Sequence, residues 1–212
     1  MNAMKSVVSA SFCLAATLAA GVAGAESRTV GDVDGLFAAV ADASVVEVVL
    51  TAKTYEIAEP FRLKRAVTVR SESGVPEDVI IHQTTTSVNK SSDETGQLGR
   101  CFYIDHAQAF VSGLTIENGN CSDNSKGRAG GGGVGMYRGL VTHCVISNNA
   151  SHTNKGGAGA YVDGGTLANS LVTGNAFNGG GASDNGGVVS VRRAGSSTAR
   201  SRATTCRIPA RA

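Results

Sequence analysis

Three segments of this chain superpose residue for residue: 111–120 (VSGLTIENGN), 141–150 (VTHCVISNNA) and 167–176 (LANSLVTGNA), at offsets of 30 and then 26. Val111, Val141 and Leu167 align. So do Leu114, Cys144 and Ser170, and Ile116, Ile146 and Val172. The last two segments each follow a glycine-rich stretch, GGVGMY at 132–137 and GGAGAY at 156–161, an alignment that sets Tyr137 over Tyr161. Glycine turns follow at Arg138-Gly139 and Gly164-Gly165. Each unit is a short strand, a Gly turn, a second short strand and an Asn-containing turn. No helical period separates the strands, yet a parallel crossover normally needs a dozen or more residues, usually as a helix. Units this short must coil, each strand pairing with its counterpart one repeat on, which is a parallel β-helix. Antiparallel hairpins in a sandwich are the competing arrangement. They predict two-residue turns and polar-out alternation rather than this register. Glycine is 28 of 212 residues, nearly twice the usual share of about 7%. The solenoid gives that excess a use, because glycine supplies left-handed or tight corners. Asn118, Asn148, Asn149 and Asn175 fall at the second corner, where asparagine tolerates left-handed geometry and bonds neighbouring coils.

Upstream of the repeats, 33–43 (VDGLFAAVADA) carries Leu36, Phe37, Val40 and Ala41 at helical spacing, and one short helix is expected. Val45–Leu50 is a β-branched apolar run, followed by Thr54–Ile57 and a break at Pro60. Phe61–Arg70 alternates as one strand, with Leu63, Val67 and Val69 on one face. Val79–Ile81 is a further short strand, and 84–99 is polar and loop-like.

With these residues in place, the chain resembles the pectin-lyase-like right-handed parallel β-helix superfamily. It is most similar to the Gly-rich repeats of polymorphic outer-membrane proteins, which pair a Gly-Gly-aliphatic element with an aromatic-or-aliphatic-x-x-Asn element. Here the second element reads Ile146-Ser-Asn-Asn149 and Val172-Thr-Gly-Asn175. The resemblance covers residues 28 to 187. It implies an all-β fold, a single-stranded right-handed parallel β-helix of roughly six coils behind a short N-terminal capping helix. Fold alone does not assign function, because this architecture hosts lyases, hydrolases, adhesins and passenger domains.

The domain plan has three parts. Residues 1–25 read as a signal peptide: Lys5 is its only charge, an apolar stretch runs from Val7 to Ala20, and Ala23-Gly24-Ala25 is a small-residue cleavage site. Phe12 before Cys13 argues against a lipid anchor. Residues 26–187 form the β-helix domain. They hold 12 basic and 17 acidic residues, a net of −5. Residues 188–212 hold six arginines and no acid, and the repeat pattern stops there. That tail is either a basic arm that touches anionic lipid or polysaccharide, or the product of a shifted reading frame. A secreted or surface-held protein is expected, with no membrane span in the mature chain and no nucleic-acid partner.

Export permits disulfides. Cys101, Cys121, Cys144 and Cys206 allow three pairings, and the alternative is that they are small buried hydrophobes. No CxxC occurs, and His82, His143 and His152 stand alone, so no metal or other cofactor is expected. Tyr137 and Tyr161 are the candidate glycan contacts. Facing outward they would make a stacked platform for a sugar ring; facing inward they would be an interior aromatic stack.

Catalytic motifs are weak. The Asp cluster, Gly-His-Gly and Arg-x-Lys motifs of polygalacturonase-type hydrolases are missing. Glu77-Asp78 and Asp93-Glu94 read as solvated turns. Asp163 and Asp184 have no spacing that demands a catalytic pair. Tyr103-Ile-Asp-His106 superficially resembles a pectate lyase motif, and Arg207-Ile-Pro-Ala-Arg211 falls one residue short of another. Gly130–Gly133 lacks the Gly-Lys-Ser/Thr and following helix of a phosphate loop. Asn89 and Asn149 open glycan sequons. The expected function is therefore a structural or interaction module, adhesin-like or glycan-contacting. The alternative is a lyase or hydrolase of acidic polysaccharide, with Ca²⁺ as cofactor only in the lyase case.

Overall fold

The computed structural model describes residues 25–85, 99–121, 130–152, 156–177 and 189–191. Residues 1–24 of the signal segment, the tail apart from 189–191, Cys206, Asn89, Asp93-Glu94 and Asp184 lie outside the described residues. All described strand pairings are parallel.

The first sheet stacks β1 (Glu26–Val30), β2 (Val45–Leu50), β5 (Thr68–Ser71), β8 (Phe110–Ser112), β12 (Leu140–Thr142) and β16 (Thr166–Ala168) in that order. The second stacks β3 (Lys53–Ile57), β6 (Val79–Gln83), β9 (Thr115–Glu117), β13 (Val145–Ser147) and β17 (Leu171–Thr173). The third holds β4 (Phe61–Leu63), β7 (Phe102–Ile104), β11 (Val134–Met136), β15 (Ala160–Val162) and β19 (Val189–Val191). A small fourth sheet, β10 (Asn120–Cys121), β14 (Ala150–Ser151) and β18 (Ala176–Phe177), joins the second to the third in the later passes. The chain visits the walls in the same order on every pass, an arrangement compatible with a β-helix.

Strands of two to five residues gain little alone. They hold because the aligned apolar residues stack in rows. Val48, Val69, Val111, Val141 and Leu167 form one row. Tyr55, Ile81, Ile116, Ile146 and Val172 form a second. Phe61, Phe102, Val134 and Ala160 begin a third. These residues belong to one core, with Val172 packed against it at its edge.

Each segment of the repeat proves to be two strands rather than one. The break falls at Gly113, His143 and Asn169, which share positive φ values of 68°, 52° and 44°. A left-handed residue turns the chain between the first and second sheets. That gives the isolated His143 a structural place. Asn118 and Asn148, with φ of 58° and 53°, make the next corner as expected.

The helix α1 (Val33–Ala41) closes the first coil. Asp32 caps its start by accepting from the Gly35 N–H at 2.6 Å. Leu36 and Ala39 are fully buried, and the Phe37 ring lies 4.3 Å from that of Phe61. No basic residue sits in the last turn of the helix. Arg65 supplies that charge from elsewhere, donating to Ala39 O at 3.1 Å, Val40 O at 2.9 Å and Val45 O at 2.6 Å. This contact also corrects the expected single strand over 61–70. Phe61–Leu63 ends in the third sheet, the chain turns at Lys64–Ala66, and Thr68 starts the first sheet again.

Candidate functional site

The tyrosines lie on the outer side of the third sheet. Phe102 and Ile104 point into the core, so Tyr103 between them points out; Tyr161 does the same between Ala160 and Val162. Outward here does not mean exposed. Tyr103 is 2% exposed, Tyr161 0% and Tyr137 9%. Their rings form a separate cluster, Tyr103 to Tyr137 at 5.2 Å and Tyr137 to Tyr161 at 6.0 Å, all tilted. The open sugar platform is thus not what this geometry presents, and neither is an interior stack. The rings face away from the core and are covered.

The pairing of Tyr137 with Tyr161 is also corrected. Tyr161 pairs with Gly135, and Gly135 with Tyr103. Keeping the offset of 26 that relates the other elements sets Gly135 over Tyr161. The tyrosine match required 24 and moved the strand by two residues. A two-residue slip preserves the face, so Tyr137 lies on the same side as Gly135, Tyr103 and Tyr161.

Arg100 holds the cover in place. It is fully buried. Its guanidinium donates to Gly130 O at 2.6 Å, to Gly131 O at 2.9 Å and to Cys121 Sγ at 3.5 Å. It also lies 5.9 Å from the centre of the Tyr103 ring. Gly135 makes room for it, since a Cβ there would sit 2.8 Å from the guanidinium carbon. Sequence reasoning passed over Arg100, and met Tyr103 only as part of the Tyr103-Ile-Asp-His106 segment. Only the glycine at 135, placed between two tyrosines in register, signals that something large occupies the gap.

Cys101, Cys121 and Cys144 are free thiols, all buried. Burial raises the Cys144 pKa to about 11 and moves that of Cys101 higher still. A thiol reacts as its thiolate. Because all three are buried, they are expected to stay unmodified when the native protein is treated with iodoacetamide at pH 8, and to be fully alkylated in denaturant. Peptide mapping by mass spectrometry reads the result; rapid native labelling of Cys144 would contradict the burial.

The remaining candidates scatter. Asp105 accepts from Arg138 Nε at 2.9 Å and from the Tyr103 hydroxyl at 3.3 Å, at the corner between the third and first sheets. His106 accepts from the Gln108 N–H nearby at 3.1 Å. Asp163 lies on the same corner two coils on from Asp105, because Tyr137 N bonds Ile104 O and Asp163 N bonds Met136 O. Glu77 and Asp78 sit in a 3-10 turn, Pro76–Asp78. Asn149, the sequon residue, is 1% exposed and engaged inside the stack, so it offers no site for a glycan. Among the described residues no group of three or more His, Cys, Asp or Glu could hold a metal ion, and no helix is long and apolar enough to cross a membrane.

The outer face of the second sheet presents two regular rows side by side. One row across five strands is Thr54, Ile80, Thr115, Val145 and Leu171. Strand spacing makes it roughly 19 Å long. Leu171 is 46% exposed, and Thr115 is tucked under Pro76 O at 2.9 Å. The neighbouring row is polar throughout: Glu56, His82, Glu117, Ser147 and Thr173. His82 Nδ1 meets Glu117 Oε1 at 2.9 Å.

No family model matches the chain, and neither a curated protein nor a solved structure matches it.

Proposed function

We propose that this chain is an exported right-handed parallel β-helix of the pectin-lyase-like kind, and that it works as a surface interaction module contacting neutral glycan. The paired rows on the outer second sheet carry this reading. A row presenting Ile80, Val145 and Leu171 beside a hydroxyl and carboxylate row is the chemistry a pyranose ring needs, since one face of the ring is apolar and its rim is hydroxylated. The two glutamates of the polar row disfavour a polyanion, and the net of −5 over 26–187 acts in the same sense. Neutral polysaccharide is therefore the better partner than a polyuronate.

The test is retention on insoluble neutral polysaccharides. Ile80→Glu plus Val145→Glu adds charge to the aliphatic row without touching the core. It is expected to weaken binding at least tenfold while the thermal melt stays within a few degrees. Binding to no neutral polysaccharide, or binding indifferent to both substitutions, rejects the module. Release of ultraviolet-absorbing unsaturated uronide from a polyuronate, with or without Ca²⁺, would establish the lyase alternative in its place.

A further inference from the structure

Among the described residues one asparagine is followed by glycine, Asn118-Gly119, at the corner after β9. The fold imposes both identities. Asn118 has a φ of 58°, a left-handed conformation that asparagine adopts more readily than most side chains. A Cβ at Gly119 would collide with Gly132 O on the next coil. The following coils carry Asn148-Asn149 and Gly174-Asn175 at this corner, so neither repeats the pair.

An asparagine before glycine is prone to cyclise, because no side chain shields the next backbone nitrogen. The Gly119 nitrogen gives its proton to solvent base and attacks Asn118 Cγ. The Cγ–Nδ2 bond breaks, and ammonia leaves with a proton taken from water. One water then opens the succinimide. Attack at the side-chain carbonyl yields aspartate, and attack at the main-chain carbonyl yields isoaspartate.

The closed stack opposes the first of these steps twice. Gly119 N–H donates to Asn149 Oδ1 at 2.8 Å, so deprotonation forfeits that bond. Asn118 Nδ2 donates to Gln83 O at 2.6 Å, which holds the amide against the preceding coil. Asn149 is itself fixed by bonds to Ile116 O and Ser147 O. The corner is thus pinned by one coil before it and one coil after it, although Asn118 is exposed to water.

We infer that Asn118 is a self-modification site that registers opening of the β9 coil, silent while the coils are stacked and converted when they part. Local opening of this kind is reversible in itself. The chemistry makes it permanent. Isoaspartate runs the main chain through an extra methylene, which shifts Gly119 out of its place beside Gly132 O and Asn149 Oδ1. Aspartate keeps the main-chain path but sets a carboxylate against Gln83 O, where a donor stood. Neither bond at this corner involves Ile80 or Val145, so glycan binding and this chemistry fail separately.

The full chain, held at pH 8 and 37 °C either folded or in urea, tests the site. Peptide mapping by mass spectrometry separates asparagine, aspartate and isoaspartate at position 118. Conversion is expected to be at least tenfold slower in the folded protein. Asn149→Ser removes the acceptor of the Gly119 N–H and should raise the folded-state rate at least fivefold. Arg100→Met weakens the fold while removing neither corner bond. Compared at urea concentrations that leave both variants equally folded, it should accelerate conversion less than Asn149→Ser does. After transfer out of urea, isoaspartate at position 118 should be depleted at least tenfold from the protease-resistant fraction. Equal rates in folded and unfolded protein overturn the inference, as does equal acceleration by the two variants. Isoaspartate chains that regain protease resistance overturn the one-way step.

Discussion

Replacing Arg100 with methionine is expected to destabilise the protein by about 3–5 kcal/mol. The change strands the Gly130 and Gly131 carbonyls under cover, and a buried polar group without a partner costs about 1–3 kcal/mol. It also removes the cation from the Tyr103 ring. Methionine has similar bulk, so the loss measures the hydrogen bonds more than a cavity. Arg100→Lys should rescue little, because an ammonium does not reproduce a planar fork aimed at two successive carbonyls. Urea denaturation gives the magnitude. Tyrosine emission gives the location: the chain has no Trp, and three of its four tyrosines form the covered cluster. The variant should therefore alter tyrosine emission before the global transition. A stability change under 1 kcal/mol with unaltered emission would mean that the guanidinium does not clamp the cover.

What could be read from residue order was whatever depends on the repeat. Aligning Val111, Val141 and Leu167 located the inward rows, and Asn118 and Asn148 marked a corner whose φ is indeed positive. These features are local and periodic. The misses share the opposite character. Arg100 is buried by carbonyls 30 and 31 residues downstream, and nothing near it in sequence announces them. For the tyrosine face, alternation distinguishes only inside from outside. Cover over an outer face leaves no period in the sequence. Over 61–70 the alternation was real on both halves, yet the two halves feed different sheets. A turn that keeps parity is invisible to a pattern of period two.

The asparagine ladder is where periodic sequence and buried chemistry coincide, and Asn149→Leu is expected to cost about 3–4 kcal/mol. Asn149 is 1% exposed and uses every polar group of its side chain. Its Oδ1 accepts from Gly119 N at 2.8 Å. Its Nδ2 donates to Ile116 O at 3.0 Å, Ser147 O at 2.9 Å and Asn175 Oδ1 at 2.9 Å. Leucine keeps the volume and leaves buried backbone groups unpaired on two coils, which is the expensive way to lose a hydrogen bond. Asn175→Leu should cost less than half as much, because that residue is only half-buried. Asn149→Asp separates hydrogen bonding from shape. A carboxylate there faces three acceptor oxygens, so the charged form is disfavoured and the folded-state pKa lies above the unfolded one. The sign follows: stability is greatest below the unfolded carboxyl pKa and falls as pH rises toward the folded one. The unsubstituted protein lacks this group and should show no matching loss across that window. Denaturation midpoints of both proteins between pH 4 and 8 decide the matter, and parallel curves would show that the ladder amide does not donate as described.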